Sequence, residues 1–202
     1  PKHPLNYGLY AGDVGSGNLI KHILQEVYWR NALFETPAGV PPRFYLYEGF
    51  IHREKLLIDT GILDELSKNN FLAIATGRPR AEADYPLNHF DLKIYFSKVL
   101  ALEDCLEEEE RLARKDGKKV SLSKPAPFML DAIAADQSNP VAGYFYIGDM
   151  PDDMSAAKRS EAGYKGIGLT LSAPDKASLI KELQRAGADY IIEDFNQLKS
   201  LL

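Results

Sequence analysis

Apolar residues along this chain follow two rhythms. Short continuous runs at Leu72–Ala75, Tyr144–Ile147, Gly166–Leu171 and Tyr190–Ile192 have the length of strands. The first two end in Thr76-Gly77 and Gly148-Asp149, both turn signals. Between these runs, apolar positions return at helical spacing: Ile62, Leu63 and Leu66, then Phe128, Met129, Ala132 and Ile133 behind Pro127 at a first helical position. Asp152–Ala162 reads as a helix stopped by Gly163, and Ala177–Leu183 as a further amphipathic stretch. Strands alternating with helices predict βαβ units. The expected class is α/β, a Rossmann-like, doubly wound parallel sheet over residues 56–202.

Residues 1–55 have another pattern. Asn18 is placed to cap a helix whose stripe is Leu19, Ile20, Ile23, Leu24, Val27 and Tyr28. Pro37, Pro41 and Pro42 break the chain, and Phe44, Tyr45, Tyr47, Phe50 and Ile51 form an aromatic cluster. The expectation is a small helical lobe, with the aromatics as its seam against the core and Trp29 packed inside. The charged run Glu107–Lys119 reads as a solvated helix or loop.

Composition narrows the function classes. The 202 residues carry a net charge of −5, a poor balance for non-specific nucleic-acid binding. No apolar run approaches the roughly 18 residues of a membrane span. The single cysteine, Cys105, excludes an intrachain disulfide and a multi-cysteine zinc site, which makes a cytoplasmic location the default. Acidic neighbours raise a thiol's pKa, so Cys105 is not read as a nucleophile. The four histidines, His3, His22, His52 and His89, show no metal-ligand spacing.

Three motifs are expected at the C-terminal ends of predicted parallel strands, the edge where open α/β sheets bind ligands. In Leu72-Ala73-Ile74-Ala75-Thr76-Gly77-Arg78-Pro79, a hydroxyl and free backbone N–H groups can meet an anion. In Ser123-Lys124-Pro125-Ala126-Pro127-Phe128, an ammonium stands before a proline-opened helix and offers a point charge to a phosphate. In Gly148-Asp149-Met150-Pro151-Asp152-Asp153, an apolar run feeds three carboxylates that repel one another unless a cation or lysine compensates. One or two such carboxylates with water and phosphate suit Mg²⁺. Each motif alone is equally a plain turn, a surface lysine or an acidic helix start.

In this order the set resembles the haloacid dehalogenase (HAD) superfamily. Thr76 matches its second motif, Lys124 its third, and Gly148-Asp149 with Asp153 its fourth, of the form GDxxxD. The resemblance covers residues 56–202, and within the superfamily the pattern is similar to the phosphoglycolate-phosphatase-like group. It implies that residues 1–55 are a cap, and that phosphoryl transfer proceeds through an aspartyl-phosphate with Mg²⁺. Carried over, Thr76 and the Gly77 N–H hold phosphoryl oxygens, Lys124 neutralises charge, Asp149 binds Mg²⁺, and Asp153 is a metal ligand or an orienter. Arg78 is an extra substrate contact.

The sequence departs from the family at its first motif. The strand followed by DxDG[TV], which supplies the nucleophile, is absent. Ala11-Gly12-Asp13-Val14-Gly15-Ser16-Gly17 offers Asp13 but has Gly15 where the second Asp should stand, and reads better as a cap loop. The expectation is an upstream segment bearing the central N-terminal core strand, without which these residues alone lack turnover. The expected function is a Mg²⁺-dependent phosphatase of a small phosphorylated metabolite. The alternatives are a phosphomutase and a non-catalytic phosphate-binding module. The acidic fourth motif disfavours metal-free dehalogenases, and motif order disfavours a phospho-receiver. Substrate identity and oligomeric state are not legible.

Overall fold

The computed structural model describes residues 18–29, 34, 40–45, 47–117, 119–137 and 141–201. Asp13 and the glycines around it lie outside the described residues. The chain divides into two compact units, Pro1–Leu57 and Ile58–Leu202.

In the first unit, α1 spans Leu19–Trp29. Asn18 caps it as anticipated, its side-chain oxygen accepting the Lys21 N–H at 2.9 Å. The buried face differs from the expected stripe. Leu19, Ile20 and Leu24 are exposed, while His22, Glu26 and Trp29 are buried. The reason is the wholly buried Glu26 carboxylate. It accepts backbone N–H groups of Arg43 at 2.6 Å, Phe44 at 2.7 Å and Tyr45 at 2.9 Å, and meets His22 Nε2 at 2.6 Å. The His22 ring lies edge-on to Phe34 and Phe44. A satisfied charge turns this helix face inward in place of the aliphatic one. Of the aromatic cluster, Phe44, Tyr47 and Phe50 are exposed and Ile51 is buried in a 3₁₀ turn, Phe50–Arg53.

The second unit alternates helix and strand. Its elements are α2 (Thr60–Asn69), β1 (Ala73–Ala75), α3 (Arg80–His89), β2 (Lys98–Leu100), α4 (Leu102–Asp116) and α5 (Phe128–Ala135). They continue with β3 (Phe145–Gly148), α6 (Pro151–Arg159), β4 (Lys165–Leu169), α7 (Lys176–Ala186) and β5 (Tyr190–Ile192). Among the described residues the strands pair in parallel, in two ladders, β1–β2 and β3–β4–β5. The α/β class with parallel strands and intervening helices is therefore as expected.

Local chemistry explains where boundaries moved. The charged run lies largely in α4, which Gly117 ends in the left-handed region at φ 68°. Helix α6 stops at Arg159, before the anticipated Ala162. Ser160 leaves helical geometry at ψ 133°, its hydroxyl hydrogen-bonded to Asp131 at 2.5 Å. β2 and α3 carry weak patterns: β2 has three residues, and α3 contains Pro86 and buries only Glu82, Ala83 and Leu87. The main core joins Ala75, Leu100, Cys105, Met129, Leu130 and Ile133 to Ala156, Ala157 and Tyr164. It fixes β1, α5 and α6 against one another, and these elements carry the site.

Candidate active site

Strand β1 ends at Ala75, and the chain turns at once. The Thr76 N–H donates to Leu100 O at 2.9 Å, extending the β1–β2 pairing by one bond. The Thr76 hydroxyl accepts the Arg78 N–H at 3.2 Å, and Arg78 O accepts the Leu102 N–H at 3.0 Å. The loop is thereby tied to the start of α4. Arg80 strengthens the tie: its guanidinium donates to Val99 O at 2.9 Å and pairs with Asp104, and its N–H donates to Glu103 at 2.6 Å. Gly77 and Arg78 are exposed, and a Cβ built on Gly77 would meet nothing within 4 Å. The loop is a braced turn that leaves room above a glycine.

Lys124 lies in the loop between α4 and α5, not at the strand end that the sequence suggests, and precedes a cis peptide bond to Pro125. Its side chain is only 20% exposed, a rare state for a lysine without partners. The ammonium has three neighbours for its three protons. Asp153 Oδ1 lies at 2.5 Å, the Tyr146 hydroxyl at 3.0 Å and Ala75 O at 3.5 Å. Lys124 therefore stands between the C-terminal end of β1 and the first turn of α6.

Asp153 is held from its own side as well. It is the third residue of α6, and its Oδ2 accepts the Met150 N–H at 3.1 Å. A carboxylate there also suits the positive end of the helix dipole. Its burial explains the glycine before the acidic cluster. A Cβ on Gly148 would lie 2.4 Å from the Asp153 side chain, so only glycine lets β3 run this close. Asp149 follows directly and is exposed.

The geometry thus brings Lys124 and Asp153 into contact. Thr76 and Asp149 are each one residue beyond a backbone position packed against that pair. Arg78 is exposed and contributes its backbone to the brace. The reading of the sequence missed Tyr146, whose hydroxyl also donates within this cluster, being 2.9 Å from Ala75 O and 3.1 Å from Asp153 Oδ1. Burial foremost, then Asp153, pushes its phenol far above the usual tyrosine value, so it stays protonated. The available signal was slight: Tyr146 is one of three aromatics in Tyr144-Phe145-Tyr146-Ile147, just before Gly148-Asp149.

Among the described residues no group of three or more His, Cys, Asp or Glu side chains could hold a metal. Asp149, with Asp153 beside it, is the donor set at this rim. Both Asp153 oxygens already have donors, whereas Asp149 is exposed. One or two carboxylates with water and phosphate are the ordinary Mg²⁺ arrangement, and this set fits it.

The sequence matches the family model of haloacid dehalogenase-like hydrolases over residues 60–167, more than half of the chain. Among solved structures, a structural-genomics target is 22% identical at a TM-score of 0.71, over 96% of this chain and 55% of its own. A hydrolase from Pseudomonas syringae is 30% identical at a TM-score of 0.56, over 75% of this chain and 61% of its own. A Thermotoga maritima protein described as a β-phosphoglucomutase is 25% identical at a TM-score of 0.53, over 71% of this chain and 59% of its own. The chain thus spans less than two thirds of each of these. No curated protein matches it. No described helix is long and apolar enough to cross a membrane.

Proposed function

Because the chain belongs to the haloacid dehalogenase-like hydrolase family, we propose that it carries the phosphate-handling part of a Mg²⁺-dependent phosphatase. The substrate class is a small phosphorylated metabolite. The observation that carries the reading is the Lys124 ammonium paired with Asp153 and facing the carbonyl of Ala75, the residue before Thr76. A lysine so enclosed presents its charge at one place without reorganising when a phosphoryl group arrives.

The roles follow from the placement. The Thr76 hydroxyl and the Gly77 N–H bind phosphoryl oxygens at the end of β1. Lys124 offsets the charge of those oxygens and of an attacking carboxylate. Asp149 is the direct ligand for Mg²⁺, and Asp153 holds Lys124 and the Met150 N–H in register. When bound there, Mg²⁺ adds charge neutralisation on the phosphoryl group. The nucleophilic carboxylate attacks phosphorus and displaces the substrate's alcohol oxygen, which leaves as the alcohol; water then cleaves the resulting acyl phosphate to inorganic phosphate and the free carboxylate. That carboxylate is expected from residues upstream of Pro1. The cap role of the first unit and a cytoplasmic setting belong to the same proposal.

The test is turnover of p-nitrophenyl phosphate with and without Mg²⁺, on the protein extended upstream. Metal-dependent turnover is expected to fall about 10²–10³-fold in Lys124→Ala and in Asp149→Ala. Phosphate binding without turnover would favour the non-catalytic module. Transfer between two positions of a sugar phosphate, in place of release, would favour a mutase.

A further inference from the structure

We infer that Tyr146 is a positioning residue for Lys124, bracing from β3 an ammonium that is paired with Asp153 of α6 and faces the end of β1. The inference deepens the phosphate-handling reading and rests on it.

Tyr146 sits on β3, three residues before Asp149, in register with Gly166 of β4. Its phenol oxygen lies within 3.1 Å of three polar groups on three other segments: Ala75 O, Asp153 Oδ1 and Lys124 Nζ. An ammonium cannot accept a hydrogen bond, so the phenol oxygen accepts from Lys124. Its own proton goes to Ala75 O or to Asp153, and both of these also face Lys124.

Removing the phenol oxygen changes the balance on Lys124. Asp153 at 2.5 Å is already the nearest partner, and without the phenol at 3.0 Å only the weak contact to Ala75 O at 3.5 Å would be left to balance it. The ammonium would then be drawn toward α6 and away from the Thr76 end of β1. The phenol also ties β1 to β3 where the two ladders are separate, since its 2.9 Å contact with Ala75 O joins one to the other. A neutral group suits this task because it fixes position without cancelling the charge that a phosphate needs. The Lys124 Nζ lies 3.0 Å from the hydroxyl and 5.6 Å from the ring centroid, so it sits beyond the oxygen and, within Tyr146, is held by that oxygen alone. Tyr146→Phe therefore isolates the oxygen.

The experiment follows the Lys124 Nζ protons by NMR in the ¹⁵N-lysine-labelled 202-residue chain near pH 6, the signal being assigned by its loss in Lys124→Met. In the parent, these protons are expected to be protected from exchange and to show a cross-relaxation contact with the Tyr146 hydroxyl. In Tyr146→Phe, exchange is expected to quicken roughly three- to tenfold, the loss of one hydrogen bond. Unchanged exchange in Tyr146→Phe, or no contact to the hydroxyl in the parent, would overturn the inference. The parent measurement stands even if the variant folds poorly. None of these readouts needs turnover, so a failed phosphatase assay beside quickened exchange would sink the functional reading alone. In an active, upstream-extended protein, Tyr146→Phe lowers kcat more than it changes KM.

Discussion

Two buried carboxylates, Glu26 in the first unit and Asp153 in the second, are satisfied in opposite ways. Glu26 is closed by three backbone N–H groups of Arg43, Phe44 and Tyr45, with His22 as its fourth neighbour. Those donors belong to the fold, and no ligand replaces them. Asp153 has one backbone donor, Met150, and takes the rest from the side chains of Lys124 and Tyr146. Side chains can be shared with an incoming anion, whereas a backbone clasp cannot. The comparison separates a polar group that fastens a loop from one that holds a charge ready at a rim. It also shows why burial of an acid alone says little about function.

The strongest way to break this contrast is at Glu26. Glu26→Ala strands three backbone donors and is expected to destabilise the protein by about 3 kcal/mol, measured by urea unfolding. A loss below about 1 kcal/mol would remove the clasp from the account. Next in size is Gly148→Ala, which drives a methyl into the Asp153 side chain. It is expected to cost about 1–3 kcal/mol and to weaken phosphate binding as well. Destabilisation with unaltered phosphate affinity would detach Asp153 from the site.

Acid separates the clasp further. Burial alone pushes Glu26 up, but the three backbone donors and His22 outweigh it, so its carboxyl sits below the ordinary value of 4.5. A depressed folded pKa stabilises above the unfolded value and is lost as pH falls through the folded one. The parent should therefore lose stability below about pH 4.5, and Glu26→Gln should show a shallower acid limb. Parallel limbs would contradict the assignment. The smallest effect concerns Cys105. Burial first, then Glu109 and Asp104, pushes its thiol up to about 11. At pH 8 it should react with a disulfide reagent roughly 100-fold more slowly in the folded protein than in urea.

Much of the second unit was legible because its signals are local. Apolar runs ending in Thr76-Gly77 and Gly148-Asp149 mark strands by composition, and Lys124 and Asp153 stood out as charges beside turns. What could not be read depended on partners distant in sequence. Tyr146 takes its meaning from Ala75 and Lys124, 71 and 22 positions away, and no periodicity carries that. The α1 face was misjudged for the same reason. An aliphatic stripe predicts burial only while no charged residue finds donors, and Glu26 finds them 17 to 19 residues on. β2 and α3 escaped because three residues and an interior proline give too little pattern.

The most direct measurement is a titration of the chain with inorganic phosphate, with and without Mg²⁺, followed at the Gly77 amide, the Lys124 Nζ and the Asp149 carboxyl by NMR. One anion-and-cation pocket predicts that the first two move together with a single affinity that Mg²⁺ tightens, and that Asp149 responds only when Mg²⁺ is present. Signals that move with different affinities, or a response confined to surface lysines while Lys124 stays still, would contradict it.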